Sequence, residues 1–548
     1  MKLKIVCLFA CISLVAGLQA QQSKSNVSKV WVADNGDGTY KNPVIHSDYS
    51  DPDVIRVGDD YYLVSSSFNA APGLPILHSK DLVNWSIIGH AFQQQAPIDH
   101  FSKVQHGNGV WAPVIRYHNS EFYIYYPDPD FGIYLTKAKK ISGPWSHPIL
   151  VEPGQGLIDP CPFWDDNGKG YLVHALAGSR AGFKSVILVK ELNAASDKVV
   201  SDGVLVYDGH ESDATIEGPK IYKRNKFYYI FAPAGGVGTG WQTILRSKNI
   251  YGPYERKVVL EQGATKINGP HQGAWVQTQT GEDWFIHFQD KDAYGRIIHL
   301  QPVKWISDWP VMGIDKDGDG KGEPVMVYKK PTVGKTYPVT TPQESDEFND
   351  TKPGLQWQWH ANPKLNWAFC FPAVGALRLN SIMPPDSAKN LWDVPNLLMQ
   401  KFPAEEFMAT TKFSFTPKTD GEKFGLLIMG MSYAHIAVTK KADGLYISYT
   451  SCVEADKGKP ELEKQIAKIT GTGADLYFRL RVGKGATCSF SYSTDGKFFT
   501  PIAETFKATP GRWIGATMGF FCSRKQKIND AGFSEVDWFR VERSTAPF

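Results

Sequence analysis

Five β-hairpins built to one plan recur along the first part of the chain, and no other feature constrains the fold as much. Each opens with a polar or aromatic lead residue and a small residue or proline. A strand, a polar turn and an aromatic-rich return strand follow. The first runs Asp51-Pro-Asp-Val-Ile-Arg-Val57, turns at Gly58-Asp59-Asp60 and returns through Tyr61-Tyr-Leu-Val64. The second leads with Trp111-Ala-Pro113, turns at His118-Asn119 and returns through Phe122-Tyr-Ile-Tyr125. The third leads with Asp159-Pro160, turns at Asp166-Asn-Gly168 and returns through Tyr171-Leu-Val173. The fourth leads with Glu217-Gly-Pro219 and returns through Phe227-Tyr-Tyr-Ile230, and the fifth leads with His271-Gln-Gly273 and returns through Trp284-Phe-Ile-His287. After the hairpins come similar closing phrases, among them His78-Ser-Lys-Asp-Leu-Val-Asn-Trp85, Lys139-Lys-Ile-Ser-Gly-Pro-Trp145 and Ser247-Lys-Asn-Ile-Tyr-Gly-Pro-Tyr254. The period is roughly 50–60 residues, the size of a four-stranded propeller blade. Helical periodicity is scarce and short alternating runs dominate, so the expectation is all-β, with a five-bladed β-propeller over residues 21–328.

The remainder divides by composition. Residues 1–20 have the form of a signal peptide, with Lys2 and Lys4 ahead of an apolar run from Val6 to Val15 and a small residue, Ala20, for cleavage before Gln21. A lipobox reading of Leu8-Phe-Ala-Cys11 would leave an apolar run of only a few residues, so export to the periplasm or medium is expected rather than lipid anchoring. No other stretch is long and apolar enough to suggest a membrane span. Residues 329–342 read as an extended linker. Residues 343–548, with alternating runs such as Tyr477-Phe-Arg-Leu-Arg-Val482 and Val536-Asp-Trp-Phe-Arg-Val541, predict a β-sandwich. The stretch Asp315–Pro324 imitates the start of a calcium loop, but the twelfth position is Met326 rather than Glu, so a solvated turn is the better reading. The cysteines left beyond the leader, Cys161, Cys370, Cys452, Cys488 and Cys522, show no CxxC spacing. They allow at most one or two disulfides in the C-terminal half and argue against a metal cluster. A net charge of +3 without a basic arm argues against nucleic-acid binding.

The lead residues carry the chemistry. In a propeller the innermost strand of each blade starts at one rim of the central channel, so residues far apart in sequence converge there. Three leads are acids, Asp51, Asp159 and Glu217, and the others are Trp111 and His271. Singly, each has an ordinary reading: aspartate before proline is a common turn residue, and a tryptophan or histidine is often core. Together, in register, they suit glycoside hydrolysis. One carboxylic acid protonates the departing oxygen, and one carboxylate activates water or attacks. A third carboxylate nearby raises the pKa of the acid by repulsion.

These segments, with Asn42-Pro-Val-Ile45, Gly109-Val-Trp-Ala-Pro113, Ile158-Asp-Pro160 and Glu217-Gly-Pro219, resemble glycoside hydrolase family 43, a family of inverting β-xylosidases, α-L-arabinofuranosidases and related enzymes. The resemblance implies Asp51 as general base, Asp159 as the modulating and orienting acid, and Glu217 as general acid. It also implies substrate contacts from Trp111 and Arg296, and a role for His271 on the propeller axis, holding water or a cation such as Ca2+. No cofactor is otherwise expected. Residues Asp346-Glu-Phe-Asn349 and Gly354–Pro363 resemble the jelly-roll, concanavalin A-like sandwich of the β-xylosidase-type members, which can lend a loop to the pocket. Gly519-Phe-Phe-Cys-Ser-Arg524 is the candidate loop. The expected substrate is a terminal pentose on oligosaccharides from xylan, arabinoxylan or xyloglucan. Alternatives are another terminal sugar or a non-catalytic carbohydrate-binding propeller. The nucleophile phrase of retaining fructan-active propellers is absent.

Overall fold

The computed structural model describes residues 27–469 and 475–544, so the expected leader, residues 1–20, lies outside the described residues. Five four-stranded antiparallel sheets, each made of four strands consecutive in sequence, form the blades of a propeller. Their innermost strands are Asp53–Val57, Val114–His118, Leu157–Trp164, Lys220–Arg224 and His271–Gln277. The second strands are covered on both faces by neighbouring blades. That is why Glu121–Asp128 and Phe227–Ala234 read as almost unbroken apolar runs and are buried along nearly their whole length.

Local chemistry explains the repeated phrases. In His78–Trp85 the Asp81 Oδ1 accepts from the backbone N–H groups of Val83 and Asn84, at 3.0 and 2.8 Å. The Trp85 indole donates to the Leu82 carbonyl at 2.8 Å, folding the phrase into a plug at the blade's edge. In the second and fourth blades the corresponding Gly143-Pro144 and Gly252-Pro253 bonds are both cis. Among the described residues no strand is exchanged between the first and last blades. The ring is closed instead by the segment ahead of blade 1. Thr39–Lys41 pairs with Val327–Lys329, the Tyr40 hydroxyl and Asn42 amide donate to the Leu300 carbonyl, and Ile45 bridges to Ile298.

The second domain is a sandwich of two seven-stranded antiparallel sheets. Its core is aromatic, with Phe413, Phe424, Phe478, Phe520 and Phe539 fully buried between the sheets, each contributing about 1.5–3 kcal/mol by burial. Asp346 explains the phrase that marks its start: one carboxylate accepts from the N–H groups of Phe348 and Gly354 and from the Trp357 indole. All five cysteines of the described residues are free.

The candidate pocket loop requires correction. Gly519–Ser523 belongs to the strand Thr517–Ser523, paired on both sides, with Phe520 in the core. The segment that reaches the propeller pocket is the turn just before it, residues 510–516. There the Ala516 N–H donates to the Ala293 carbonyl at 2.7 Å, and the Gly515 N–H donates to Asp48 Oδ2 at 2.9 Å. Gly295 and Gly515 touch backbone to backbone: a Cβ on Gly515 would lie 2.6 Å from the Gly295 nitrogen.

Candidate active site

At one rim of the propeller, Asp51, Asp159, Glu217, Trp111 and Arg296 line a single pocket of about 460 Å³, counting the space open at its mouth. Phe68, Ala112, Ile158, Val237, Gln272 and the sandwich residue Trp513 complete the wall.

The lead residues do not share one structural position, as the hairpin plan suggested. Asp51 and Asp159 are each followed by proline and adopt left-handed backbone, φ 55° and 56°. In blade 4 that position is Gly218 (φ 59°) and in blade 5 it is Gln272 (φ 32°). Glu217 and His271 therefore precede it by one residue, and the pocket is drawn from two adjacent rings of positions. A bulge between Ile158 and Cys161, and another between His271 and Gly273, break strand pairing where blades 3 and 5 meet the pocket.

Asp51 is fixed from two sides. Its Oδ1 accepts from an Arg296 guanidinium nitrogen at 2.8 Å, and its Oδ2 accepts from the Ser66 hydroxyl at 2.5 Å. Arg296 is positioned in turn by Asp48, whose Oδ1 accepts from the Arg296 N–H at 2.9 Å. The same aspartate holds Gly515, so one side chain ties Arg296 to the loop that carries Trp513. Trp513 lies 52% exposed on left-handed backbone (φ 63°). Its ring is edge-on to Trp111 at 6.2 Å, and the Arg296 guanidinium lies 5.8 Å from it.

Asp159 is 2% exposed and accepts from the Gly218 N–H at 2.7 Å. Burial first, then the neighbouring Glu217 and Asp51 carboxylates, push it up to about 7. The Glu217 side chain, 27% exposed, faces the pocket and meets His271 Nε2 at 2.9 Å. One step further along the inner strands, Asp53, Cys161 and Lys220 are fully buried. Arg116 bridges Asp53 (2.7 Å) and Cys161 Sγ (3.1 Å), so the channel is filled beneath the acids.

His271 Nδ1 is buried without a hydrogen-bond partner. It does not, however, converge with two further His, Cys, Asp or Glu ligands. Among the described residues only Asp315, Asp317 and Asp319 form such a group. Calcium takes six to eight oxygen ligands, so an ion beside His271 would be held mainly by water. In the Asp315 turn, Oδ1 and Oδ2 of Asp315 accept from the N–H groups of Gly318 and Gly320, and Lys321 pairs with Asp319 at 3.0 Å.

Comparisons with known proteins agree with this architecture. Residues 40–310 match the model of Glycosyl hydrolases family 43, and residues 345–542 match that of the Beta xylosidase C-terminal Concanavalin A-like domain. A beta-xylosidase of Formosa agariphila is 34% identical over 98% of this chain and 97% of its own. The chain belongs to glycosyl hydrolase family 43. A non-reducing end alpha-L-arabinofuranosidase of Bacteroides ovatus is 27% identical over 91% of this chain and 94% of its own. The crystal structure of a family 43 protein from Bacillus licheniformis superposes with a TM-score of 0.78, at 27% identity, over 92% of this chain and all of that one. This family 43 protein is a glycoside hydrolase with a propeller pocket capped from its sandwich domain.

Proposed function

We propose that this hydrolase is exo-acting and inverting, and that it releases a terminal non-reducing pentose, β-D-xylose or α-L-arabinofuranose, from plant-cell-wall oligosaccharides. The observation that carries the reading is the convergence of three carboxylates on one small pocket above a filled channel, a shape that takes the end of a glycan rather than its middle. Glu217, facing the open side, gives its proton to the glycosidic oxygen as the bond to the anomeric carbon breaks. Asp51, oriented by Arg296 and Ser66, takes a proton from the water that attacks the opposite face. The result is one displacement and an inverted anomer. Asp159 stores a proton beside Glu217 and orients it. Trp111 and Trp513 form the aromatic walls against which a sugar ring stacks, and His271 holds Glu217 in place. Residues 1–20 direct the protein out of the cytoplasm.

The relatives' names divide between xylosidase and arabinofuranosidase, so the sugar is assigned by assay. Aryl β-D-xylopyranoside and aryl α-L-arabinofuranoside are compared with the matching natural oligosaccharides, and the first-formed anomer is read by NMR. Turnover with inversion is expected, with Glu217→Gln reduced about 10²–10⁴-fold on the natural oligosaccharide and less on aryl glycosides, whose leaving groups need little protonation. A retained anomer would exclude the single displacement. Glu217→Gln equal to the unaltered protein would refute the acid assignment, and binding without turnover would return the protein to the carbohydrate-binding reading. Activity that survives exhaustive chelation is expected.

A further inference from the structure

We infer that Gln272 reads a ring hydroxyl of the sugar bound in this pocket and is a specificity-determining residue of the enzyme. The inference rests on the pentose reading above and names how that site would discriminate its sugar.

Gln272 occupies in blade 5 the ring position that Asp51 and Asp159 hold in blades 1 and 3, with the same sign of φ. It is the bulged residue: His271 pairs with Phe288 and Gly273 with His287, leaving Gln272 outside the ladder and turned to the pocket it lines. At 5% exposure it is nine-tenths buried, and its Oε1 has no hydrogen-bond partner. Buried amide oxygens are nearly always satisfied, so an orphan in a pocket wall marks a place where a ligand supplies the donor. The chemistry of the wall narrows that ligand. Asp51 accepts, Asp159 and Glu217 are carboxyls already given to proton transfer, and only the guanidinium of Arg296 adds a charged donor. A neutral carbonyl among them matches a hydroxyl, which donates to Oε1 while its own oxygen stays free to accept. The side chain is also held. A Cβ on Gly218 would lie 2.8 Å from Gln272 Cγ, so the amide lies directly over the residue whose N–H holds Asp159. A sugar hydroxyl bound to Gln272 is thereby placed in register with the catalytic acids.

The test pairs substrate deletion with side-chain deletion. The unaltered enzyme is assayed on its preferred aryl pentoside and on each monodeoxy analogue of that sugar, a measurement that needs no variant to fold. The same set is run on Gln272→Met, which keeps length and loses the hydrogen bond, and on Gln272→Asn, which keeps the amide and withdraws it. For the parent glycoside, kcat/KM is expected to fall about 10²-fold in Gln272→Met. For one deoxy analogue the two proteins are expected to be equal within about threefold, because the hydroxyl and its partner are then both absent. Equal losses on every analogue in both variants would make Gln272 structural and overturn the proposal. No loss on the parent glycoside would overturn it as well. If the unaltered protein hydrolyses neither pentoside, the pentose reading fails and carries this proposal with it, whereas turnover with a uniform loss removes Gln272 alone.

Discussion

Asp51 and Asp159 sit on left-handed backbone, φ 55° and 56°, a conformation that costs a non-glycine residue about 1–3 kcal/mol and persists only where surrounding structure holds it. The holding groups are specific. Arg296 and Ser66 clamp Asp51, and the Gly218 N–H clamps Asp159. Removing Arg296 leaves a buried carboxylate without its cation, so Arg296→Met is expected to lose about 3–5 kcal/mol of stability, read by urea denaturation, together with activity. The acid arrangement also sets a pH limb. Asp159 is raised to about 7 by burial and by the Glu217 charge, so its proton is present below neutrality and lost as pH rises through about 7. kcat/KM is expected to fall on that side of the profile, and Asp159→Asn, which removes the titrating group, to abolish that limb. The three acids were legible in the sequence because each precedes a proline or Gly-Pro in a repeated phrase. Gln272 was passed over because an uncharged amide beside His271 carries no signal in a single sequence. Only its burial and its orphaned oxygen distinguish it.

At the scale of the element, the turn 510–516 matters more than its length suggests. Gly515 can carry no side chain, since a Cβ would meet the Gly295 nitrogen at 2.6 Å. Gly515→Ala is therefore expected to push the turn outward and withdraw Trp513. The expected result is a KM raised about tenfold or more with kcat less affected, while the melting of the propeller is unchanged. Trp513→Ala is expected to reproduce the KM effect without the backbone clash. The sequence placed this function in the following segment, 519–524, and missed by a few residues for a physical reason. Phe520 and Phe521 look like candidates for a pocket, but strand alternation sends them to opposite faces of a fully paired strand, where the larger cores absorb both. The hairpins, by contrast, were readable element by element, because each is a local structure with its own turn chemistry. Their common register was misjudged by one residue in blades 4 and 5, since which residue of a lead phrase takes the left-handed backbone shows only in the folded blade.

For the whole molecule, the seam between the domains holds four neutral histidines, His46 and His360 buried and His90 and His106 half-buried. Burial lowers His46, His90 and His360 to about 3 and His106 to about 4. Such groups stay neutral in the folded protein and take up a proton on unfolding anywhere below about 6.5, so they favour the unfolded state increasingly as pH falls from there toward 4. Glu344, in the same seam and raised to about 7 by burial, acts in the opposite direction over that window, but it is one group against four. Thermal stability followed by calorimetry is expected to drop between pH 7 and 4.5, with separation of the sandwich transition from that of the propeller. The two-domain division was visible in the sequence from the change of pattern near residue 343. The depth of the docking was not, because Asp48, Gly295 and Gly515 meet only in the folded chain.

Asp51 and the arginine that orients it are separated by 245 residues along the chain, and the tryptophan that caps them comes later still. A ribosome making this protein has therefore finished the first blade long before any pocket exists. On the mechanism proposed above, catalysis waits for the last blade to meet the first and for the sandwich to lay its turn across the rim. Competence to cut sugar is in this sense a certificate of complete synthesis, issued only to a chain that has emerged and folded through residue 516.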